Sequence, residues 1–151
     1  MKKKIVKFFA TGAYAGYSPV MPGTVGTLWG VFIAGFVSAR SPVEQAMAII
    51  AISAASVYIA SEESRNTGFK DHRSIVCDEV AGFLVSFFLV PFTLFNIILV
   101  FILFRFFDIV KPYPAGIIDR KTGGGLGIVL DDIIAGVYAG VIAHAVLRFL
   151  T

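Results

Sequence analysis

The side chains that could carry out chemistry are two pairs of adjacent carboxylates, each at the start of an apolar stretch. Asp78 and Glu79 precede the uncharged run 80–104. Asp131 and Asp132 precede the last apolar run. Adjacent carboxylates at an apolar boundary repel each other unless a cation lies between them, and all-oxygen ligands select a hard ion such as Mg²⁺. The pairs therefore favour one shared metal site over the alternative, in which each pair only complements its own helix dipole.

Basic residues close to these carboxylates suggest that the ligand is a phosphate. Arg105, Asp108 and Lys111 recur every three residues, which puts them on one face of a helix that ends before Pro112. The same spacing is also typical of a self-neutralising stripe at a membrane surface. The stretch 112–127 is predicted to be a constrained loop whose glycine N–H groups contact a phosphate, or a flexible connector. It carries three further charged residues, which are Asp119, Arg120 and Lys121.

The composition indicates a membrane protein. Of the 151 residues, 57% are hydrophobic and 15% are charged, whereas a soluble domain has about a quarter of its residues charged. The mean hydropathy is +0.83. Four stretches could lie in a bilayer, whose core takes about 20 helical residues; they are Thr24–Ala39, Ala46–Ala60, Val80–Phe104 and Ile133–Leu147. We predict an all-α fold, in which residues 1–151 form a single domain built as an integral membrane helical bundle.

The third apolar stretch decides whether both acidic pairs can face one side of the membrane. If the N-terminus is cytoplasmic and the first two stretches cross, a single crossing by 80–104 would separate Asp78 from Asp131. The stretch is long enough for one crossing. Pro91, with Asn96 shortly after it, could instead break it into a re-entrant hairpin. Because a shared metal site needs both acidic pairs on one side, we predict the hairpin.

The N-terminus, MKKKIVKFF, is interpreted as a basic cytoplasmic tail, because glycines and prolines between residues 12 and 23 interrupt the apolar run of a signal peptide. The net charge of +3 suits an anionic lipid surface better than nucleic acid. Segment 11–30 should be packed in protein or line a wet cavity, with Thr24 or Thr27 capping the helix that follows. A lone cysteine, Cys77, excludes an intrachain disulfide.

Four blocks of the sequence together resemble a known family. They read SPVMPGTVGT from residue 18, DHRSIVCDEVAGF from 71, FRFFDIVKPYP from 104 and IDRKTGGGLGIVLDDIIAGVYAG from 118. In this order they resemble the signature blocks of phosphatidylglycerophosphatase A, a bacterial membrane lipid phosphatase. The resemblance implies a Mg²⁺-dependent enzyme of the inner membrane that removes the terminal phosphate of phosphatidylglycerophosphate, leaving phosphatidylglycerol. Its active site would face the cytoplasm, and its substrate would be a phospholipid in the membrane.

The matched motif positions have predicted roles in this chemistry. The ligands of one or two Mg²⁺ ions would be Asp78, Glu79, Asp131 and Asp132. The catalytic groups would be Lys111 and Arg120, which bind phosphate oxygens, and Asp108 or Asp119, which serves as general base or as nucleophile. The residues predicted to contact the substrate are Ser18, Thr24, Thr27, Arg105 and, by a weaker alignment, Asp71. Pro19, Pro22 and Gly23 also fall on motif positions.

Two other classes of function have weaker support in the sequence. A CDP-alcohol phosphotransferase pairs a DG–AR element with G-x3-D-x3-D; Gly127 and Asp131 match its second part, but Ala135 stands at the last aspartate. A small transporter or channel would place carboxylates inside the apolar stretches. The carboxylates here lie at the edges of those stretches, which favours the phosphatase.

Overall fold

The computed structural model describes residues 2–69 and 72–150, apart from the side chains of Asp119 and Arg120. The described chain contains seven α-helices and no β-strand, so the all-α prediction is confirmed for this part. The helices are α1 (Lys2–Ala10), α2 (Pro22–Val37), α3 (Pro42–Thr67), α4 (Cys77–Ser86), α5 (Leu94–Val110), α6 (Ala115–Lys121) and α7 (Gly124–Leu150). A 3₁₀ turn, Ala15–Tyr17, lies between α1 and α2.

The basic N-terminal tail is helical and forms α1. Two local expectations were wrong. Most of the predicted loop 112–127 is helical, because α6 begins at Ala115 and α7 at Gly124. Thr24 and Thr27 do not cap α2, which begins two residues before Thr24, after Met21 in a left-handed conformation (φ 49°). Proline at the first helical position needs no N–H partner and has a φ that suits a helix, so α2 begins without a threonine cap.

The third apolar stretch is broken near Pro91, as predicted. Helix α4 ends at Ser86, and α5 begins after Thr93, whose side chain accepts a hydrogen bond from the Asn96 N–H at 3.3 Å. The Asn96 side chain donates to the Pro91 carbonyl at 2.8 Å. Both polar side chains thus satisfy backbone groups that the break leaves without a partner inside a helix, and the chain turns back within seven residues, 87–93.

Helix α4 lies in the middle of the bundle and packs closely on α7. Its side chains Phe83 and Leu84 are fully buried, in one core with Phe104 of α5 and Ala139 of α7. Glycine and alanine on the facing surfaces let the two backbones approach. This contact places the start of α4 beside the first turns of α7.

Hydrogen bonds fix which helix ends meet. At one end, called the polar end here, α4 begins and α5 finishes. There the Gly125 N–H of α7 donates to Ser61 Oγ of α3 at 3.0 Å, and the Val76 N–H donates to the Ala10 carbonyl of α1 at 2.8 Å. Helices α1, α3, α4 and α7 therefore all have one terminus at the polar end.

The opposite end holds the α2–α3 turn and the α4–α5 turn. Gln45 joins them, because its side chain donates to the Arg40 carbonyl at 2.9 Å and accepts from the Leu89 N–H at 3.1 Å. His144 Nε2 of α7 lies 2.9 Å from the Phe88 carbonyl. Helices α2, α3, α4, α5 and α7 thus run between the two ends.

Two of the four predicted apolar segments form helices long and apolar enough to cross a membrane. These are α3, which contains Ala46–Ala60, and α7, which contains Ile133–Leu147. The first predicted segment corresponds to α2, a shorter apolar helix of 16 residues. Large apolar side chains on these helices and on α5 point outward, among them Phe36, Ile50 and Ile102, each more than 60% exposed. Exposed apolar side chains in such number are typical of contact with lipid or with another protein.

Candidate active site

A pocket of about 270 Å³ opens at the polar end. Four separate parts of the chain form it: the start of α2, the segment before α4 with its first turn, the end of α5, and the first turns of α7. The residues that line it are Met21, Pro22, Gly23, Arg73, Ile75, Asp78, Glu79, Arg105, Asp108, Lys111, Asp131 and Asp132. The structure thus brings both acidic pairs and the Arg105–Lys111 face into one cavity.

Three carboxyl groups on the buried side of this pocket form a cluster suited to a cation. Asp78, Glu79 and Asp132 each offer an oxygen, and these oxygens all lie within 4.8 Å of one another. Asp78 is 7% exposed and Asp132 is 3% exposed. Within the described part of the chain, no hydrogen bond reaches the buried Oε2 of Glu79 or Oδ2 of Asp132. Buried oxygens without a donor are costly, and a bound divalent ion would satisfy them.

The pKa of Glu79 also supports a cation site at this cluster. Burial, together with the nearby carboxylates of Asp132 and Asp108, raises the pKa of Glu79 to about 8. The protein alone therefore does not hold all of these carboxyl groups ionised at neutral pH. A cation at the cluster would favour the ionised form, which is how metal sites built from carboxylates are coupled to proton release.

Two ion pairs form the wall of the pocket next to the cluster. Arg105 Nη1 donates to Asp108 Oδ2 at 2.6 Å, within α5. Lys111 Nζ donates to Asp131 Oδ2 at 2.5 Å, which joins the end of α5 to α7. Asp131 therefore differs from the other three predicted ligands, because it contacts Lys111 and lies outside the three-carboxylate cluster. The roles of all four residues stay predictions.

A glycine in α2 leaves space for side chains of the pocket. Gly23 lies in the first turn of α2, beside Glu79 and Arg105. A side-chain carbon at position 23 would contact Glu79 Oε1 and would lie 3.1 Å from Arg105 Nη1. The absence of a side chain at Gly23 is therefore what allows Glu79 and Arg105 to share this corner of the pocket.

Several residues predicted to contact the substrate lie away from the pocket lining. Ser18 Oγ donates to the Val20 carbonyl at 2.9 Å in an exposed turn. Thr27 is fully buried and its hydroxyl donates to the Gly23 carbonyl at 2.9 Å. Thr24 also lies outside the lining, with its hydroxyl buried. The predictions for Asp71, and for the side chains of Asp119 and Arg120, fall outside the described residues.

The glycine run 123–127 does not line the pocket either. Gly125 lies against α3, where a side-chain carbon would be 2.5 Å from the Ser61 backbone nitrogen and side-chain oxygen. Its own N–H donates to Ser61 Oγ. Gly125 therefore lets α7 pack on α3, and the phosphate contact expected of these glycines stays a prediction.

Sequence reasoning missed three lining residues, which are Met21, Ile75 and Arg73. Arg73 belongs to the first polar block of the sequence, five residues before Asp78. Its positive charge next to an acidic pair was the available signal, but the segment before α4 has no helical periodicity that would indicate where the side chain points.

Comparison with known proteins gives a consistent assignment. Residues 8–147 match the model of the family described as phosphatidylglycerophosphatase A. A phosphatidylglycerophosphatase A of Haemophilus influenzae is 32% identical over 143 residues, covering 93% of this chain and 88% of that protein. One of Escherichia coli is 33% identical over 139 residues, covering 89% and 79%.

A third relative, from Bacteroides thetaiotaomicron, is 31% identical over 137 residues, covering 85% of both chains. That protein carries a provisional name, phosphatidylinositol-3-phosphatase. No solved structure matches this chain significantly. Since the family model spans most of the sequence and two relatives at about 32% identity carry the same name, the chain belongs to the phosphatidylglycerophosphatase A family.

Proposed function

We propose that this chain hydrolyses the terminal phosphate of phosphatidylglycerophosphate in the pocket at the polar end, leaving phosphatidylglycerol and inorganic phosphate. Membership of the family gives the reaction, a phosphoric monoester hydrolysis. The observation that supports this pocket as its location is the convergence of three carboxyl groups from α4 and α7 beside two cationic side chains at the end of α5.

Mg²⁺ is the cofactor we propose for the cluster. Asp78, Glu79 and Asp132 would hold it, since a small hard cation prefers carboxylate oxygens and a site that retains some water. When bound, Mg²⁺ supplies the Lewis-acid polarisation and charge neutralisation that transfer of a dianionic phosphate to water requires. Asp131 stands next to Asp132 and contacts Lys111 through Oδ2, so its Oδ1 could join the ligands while that contact is kept.

The two cationic side chains at the end of α5 would position the phosphate. Lys111 and Arg105 line the same pocket and donate to Asp131 and Asp108, respectively. Each cation has further N–H groups that can bind non-bridging oxygens of a phosphate. The ion pairs also hold the Lys111 and Arg105 side chains in place before substrate binds. Less side-chain conformational entropy is therefore lost on binding.

Asp108 is proposed as the general base or as the nucleophile. Its carboxylate lines the pocket and is oriented by Arg105 at 2.6 Å. As a base it would take a proton from the attacking water. As a nucleophile it would form an aspartyl-phosphate. Borohydride trapping during turnover separates the two, because only the aspartyl-phosphate of the second route is an acyl phosphate that borohydride reduces at the Asp108 carboxyl carbon.

Membrane insertion is proposed for the bundle, with α3 and α7 as full crossings. Their 26 and 27 residues span about 39–40 Å, enough for the hydrocarbon core. Helices α4 and α5 would form a re-entrant hairpin whose turn, 87–93, lies at the opposite end. This arrangement keeps the start of α4 and the start of α7 on one side, as a shared active site requires.

The polar end would face the cytoplasm of a bacterial cell. Helix α1 brings four lysines to this end, which are Lys2, Lys3, Lys4 and Lys7. Positive charge next to membrane segments is enriched on the cytoplasmic side. The headgroup would then be hydrolysed at the inner surface of the cytoplasmic membrane while the acyl chains stay in lipid.

A phosphate-release assay on purified protein in mixed micelles tests the function. Phosphatidylglycerophosphate, phosphatidic acid and phosphatidylinositol 3-phosphate are compared, each with Mg²⁺ and with excess chelator. We expect Mg²⁺-dependent release from phosphatidylglycerophosphate, lost with chelator and restored by Mg²⁺. Folded protein that releases no phosphate from this lipid, or prefers another of the three, would contradict the proposal. A parallel assay for CMP-dependent exchange tests the phosphotransferase alternative.

A further inference from the structure

The entrance of the pocket differs from its interior in the exposure and charge of the residues that line it. Of the twelve described residues that line it, two are exposed, Met21 and Arg73. The carboxylates of Asp78, Asp131 and Asp132 are buried behind them. A substrate that enters with its terminal phosphate first would therefore pass Arg73 before it reaches the acidic cluster.

Arg73 also differs from the other two cationic residues of the lining. Arg105 and Lys111 each form an ion pair, with Asp108 and Asp131. Among the described residues, no hydrogen bond or ion pair involves the Arg73 guanidinium. An arginine at a pocket entrance without an internal partner keeps its full set of N–H donors for an incoming anion.

The proposed substrate carries two phosphates. The terminal phosphomonoester is hydrolysed, and a phosphodiester, one glycerol unit away, joins the headgroup to diacylglycerol. With the monoester at the acidic cluster, the diester lies towards the entrance. We propose that Arg73 binds this phosphodiester and so selects phosphatidylglycerophosphate over lipids that carry a phosphomonoester alone. This inference rests on the proposed function of the pocket.

The chemistry of the entrance fits this role. A guanidinium can donate two parallel hydrogen bonds to the non-bridging oxygens of a phosphodiester. Met21, which also lines the pocket, and its neighbour Val20 are 58% and 68% exposed, an apolar surface suited to the lipid part of the substrate. Phosphatidic acid has its phosphomonoester directly on diacylglycerol, so it has no second phosphate to place at Arg73.

Kinetics of Arg73→Gln test the proposal. We expect the KM for phosphatidylglycerophosphate to rise about ten-fold or more, the loss of a charge-assisted contact, while kcat stays close to wild type. Arg73→Lys should recover part of the affinity, since it restores the charge without the two parallel donors. The matched control is Arg65→Gln, an arginine of α3 outside the pocket lining with a 77% exposed side chain.

Inhibition by the two reaction products adds a readout that general damage to the pocket would not reproduce. Phosphatidylglycerol carries the phosphodiester, and inorganic phosphate represents the monoester. In Arg73→Gln, inhibition by phosphatidylglycerol should weaken by the same factor as the KM rises, with inhibition by inorganic phosphate unchanged. An unchanged KM, a fall in kcat alone, or equal weakening of both inhibitors would overturn the role of Arg73. Wild-type protein that does not hydrolyse phosphatidylglycerophosphate would instead overturn the proposed function itself.

Discussion

Gly82 of α4 and Gly136 of α7 are in backbone contact. A side-chain carbon at position 136 would collide with the Gly82 carbonyl oxygen, and one at position 82 would lie 2.6 Å from the Asp132 carbonyl oxygen. Glycine at both positions therefore sets the distance between α4 and α7. That distance also determines how close the carboxylates at the start of α4 come to Asp132.

Replacing Gly136 by alanine should separate the two helices. The atom in the way is a backbone oxygen, so the helices must shift, at a cost of about 1–3 kcal/mol for overpacking. We expect a lower Tm in detergent and a loss of phosphate release, even though alanine favours helix more than glycine. The matched control is Gly123→Ala, where nothing lies within 4 Å of the added carbon. Equal Tm and activity for the two variants would contradict this account of the α4–α7 contact.

Asp132→Asn tests the metal cluster directly. Loss of the Asp132 carboxylate should lower turnover by about 100-fold or more, because several kcal/mol of charge stabilisation by the metal would be lost. In the absence of metal the variant should have an equal or higher Tm, since one buried like charge is gone. Wild-type protein should gain Tm with Mg²⁺, and the variant should not.

The control for this measurement is Glu62→Gln, which removes a carboxylate that pairs with Arg65 outside the pocket lining. Glu62→Gln should keep both turnover and the Mg²⁺-dependent rise in Tm. An Asp132→Asn variant that retains the full Tm response to Mg²⁺ would show that the cluster does not bind the ion.

Asp131→Asn should separate catalysis from metal binding. Asp131 contacts Lys111 and stands outside the three-carboxylate cluster. We expect the variant to keep most of the Tm rise with Mg²⁺ but to turn over at less than about a tenth of the wild-type rate, because Lys111 loses the group that orients it. If the Tm response disappears as completely as in Asp132→Asn, Asp131 is a ligand and the site has four carboxylates.

Local signals in the sequence were enough to predict some of these features. The break near Pro91 follows from a residue without an N–H donor and from Asn96, whose side chain bonds the Pro91 carbonyl. The face formed by Arg105, Asp108 and Lys111 follows from helical spacing, and the structure places all three at the pocket. Each of these signals lies within a few residues of the feature that it predicts.

Other features depend on how distant segments meet. The ion pair of Lys111 and Asp131 joins residues 20 positions apart, and the rotation of α7 against α5 decides which aspartate faces the lysine. Thr27 is buried because it lies on the face of α2 that packs into the bundle, which depends on contacts with distant helices. The exposure of Arg73 depends on a segment without periodicity. Sequence alone predicts the residue types of such a site more readily than their pairing.

Cysteines introduced at the two ends of the bundle should react with a membrane-impermeant reagent from opposite sides of the membrane. Ala39 lies in the α2–α3 turn at the opposite end, and Gly123 lies at the polar end between α6 and α7; both are exposed. A membrane-impermeant maleimide added to intact spheroplasts should label Ala39→Cys and should label Gly123→Cys only after permeabilisation. This outcome follows if α3 crosses and the polar end faces the cytoplasm.

The native cysteine gives a low background for this experiment. Cys77 is 6% exposed, and burial raises the pKa of its thiol well above the ordinary value, so little reactive thiolate forms at neutral pH. Wild-type protein, with Cys77 alone, is therefore the control and should stay unlabelled. Labelling of both introduced cysteines from the same side would contradict the crossing by α3. Labelling of Gly123→Cys alone in intact spheroplasts would reverse the orientation, and the active site would then face away from the cytoplasm.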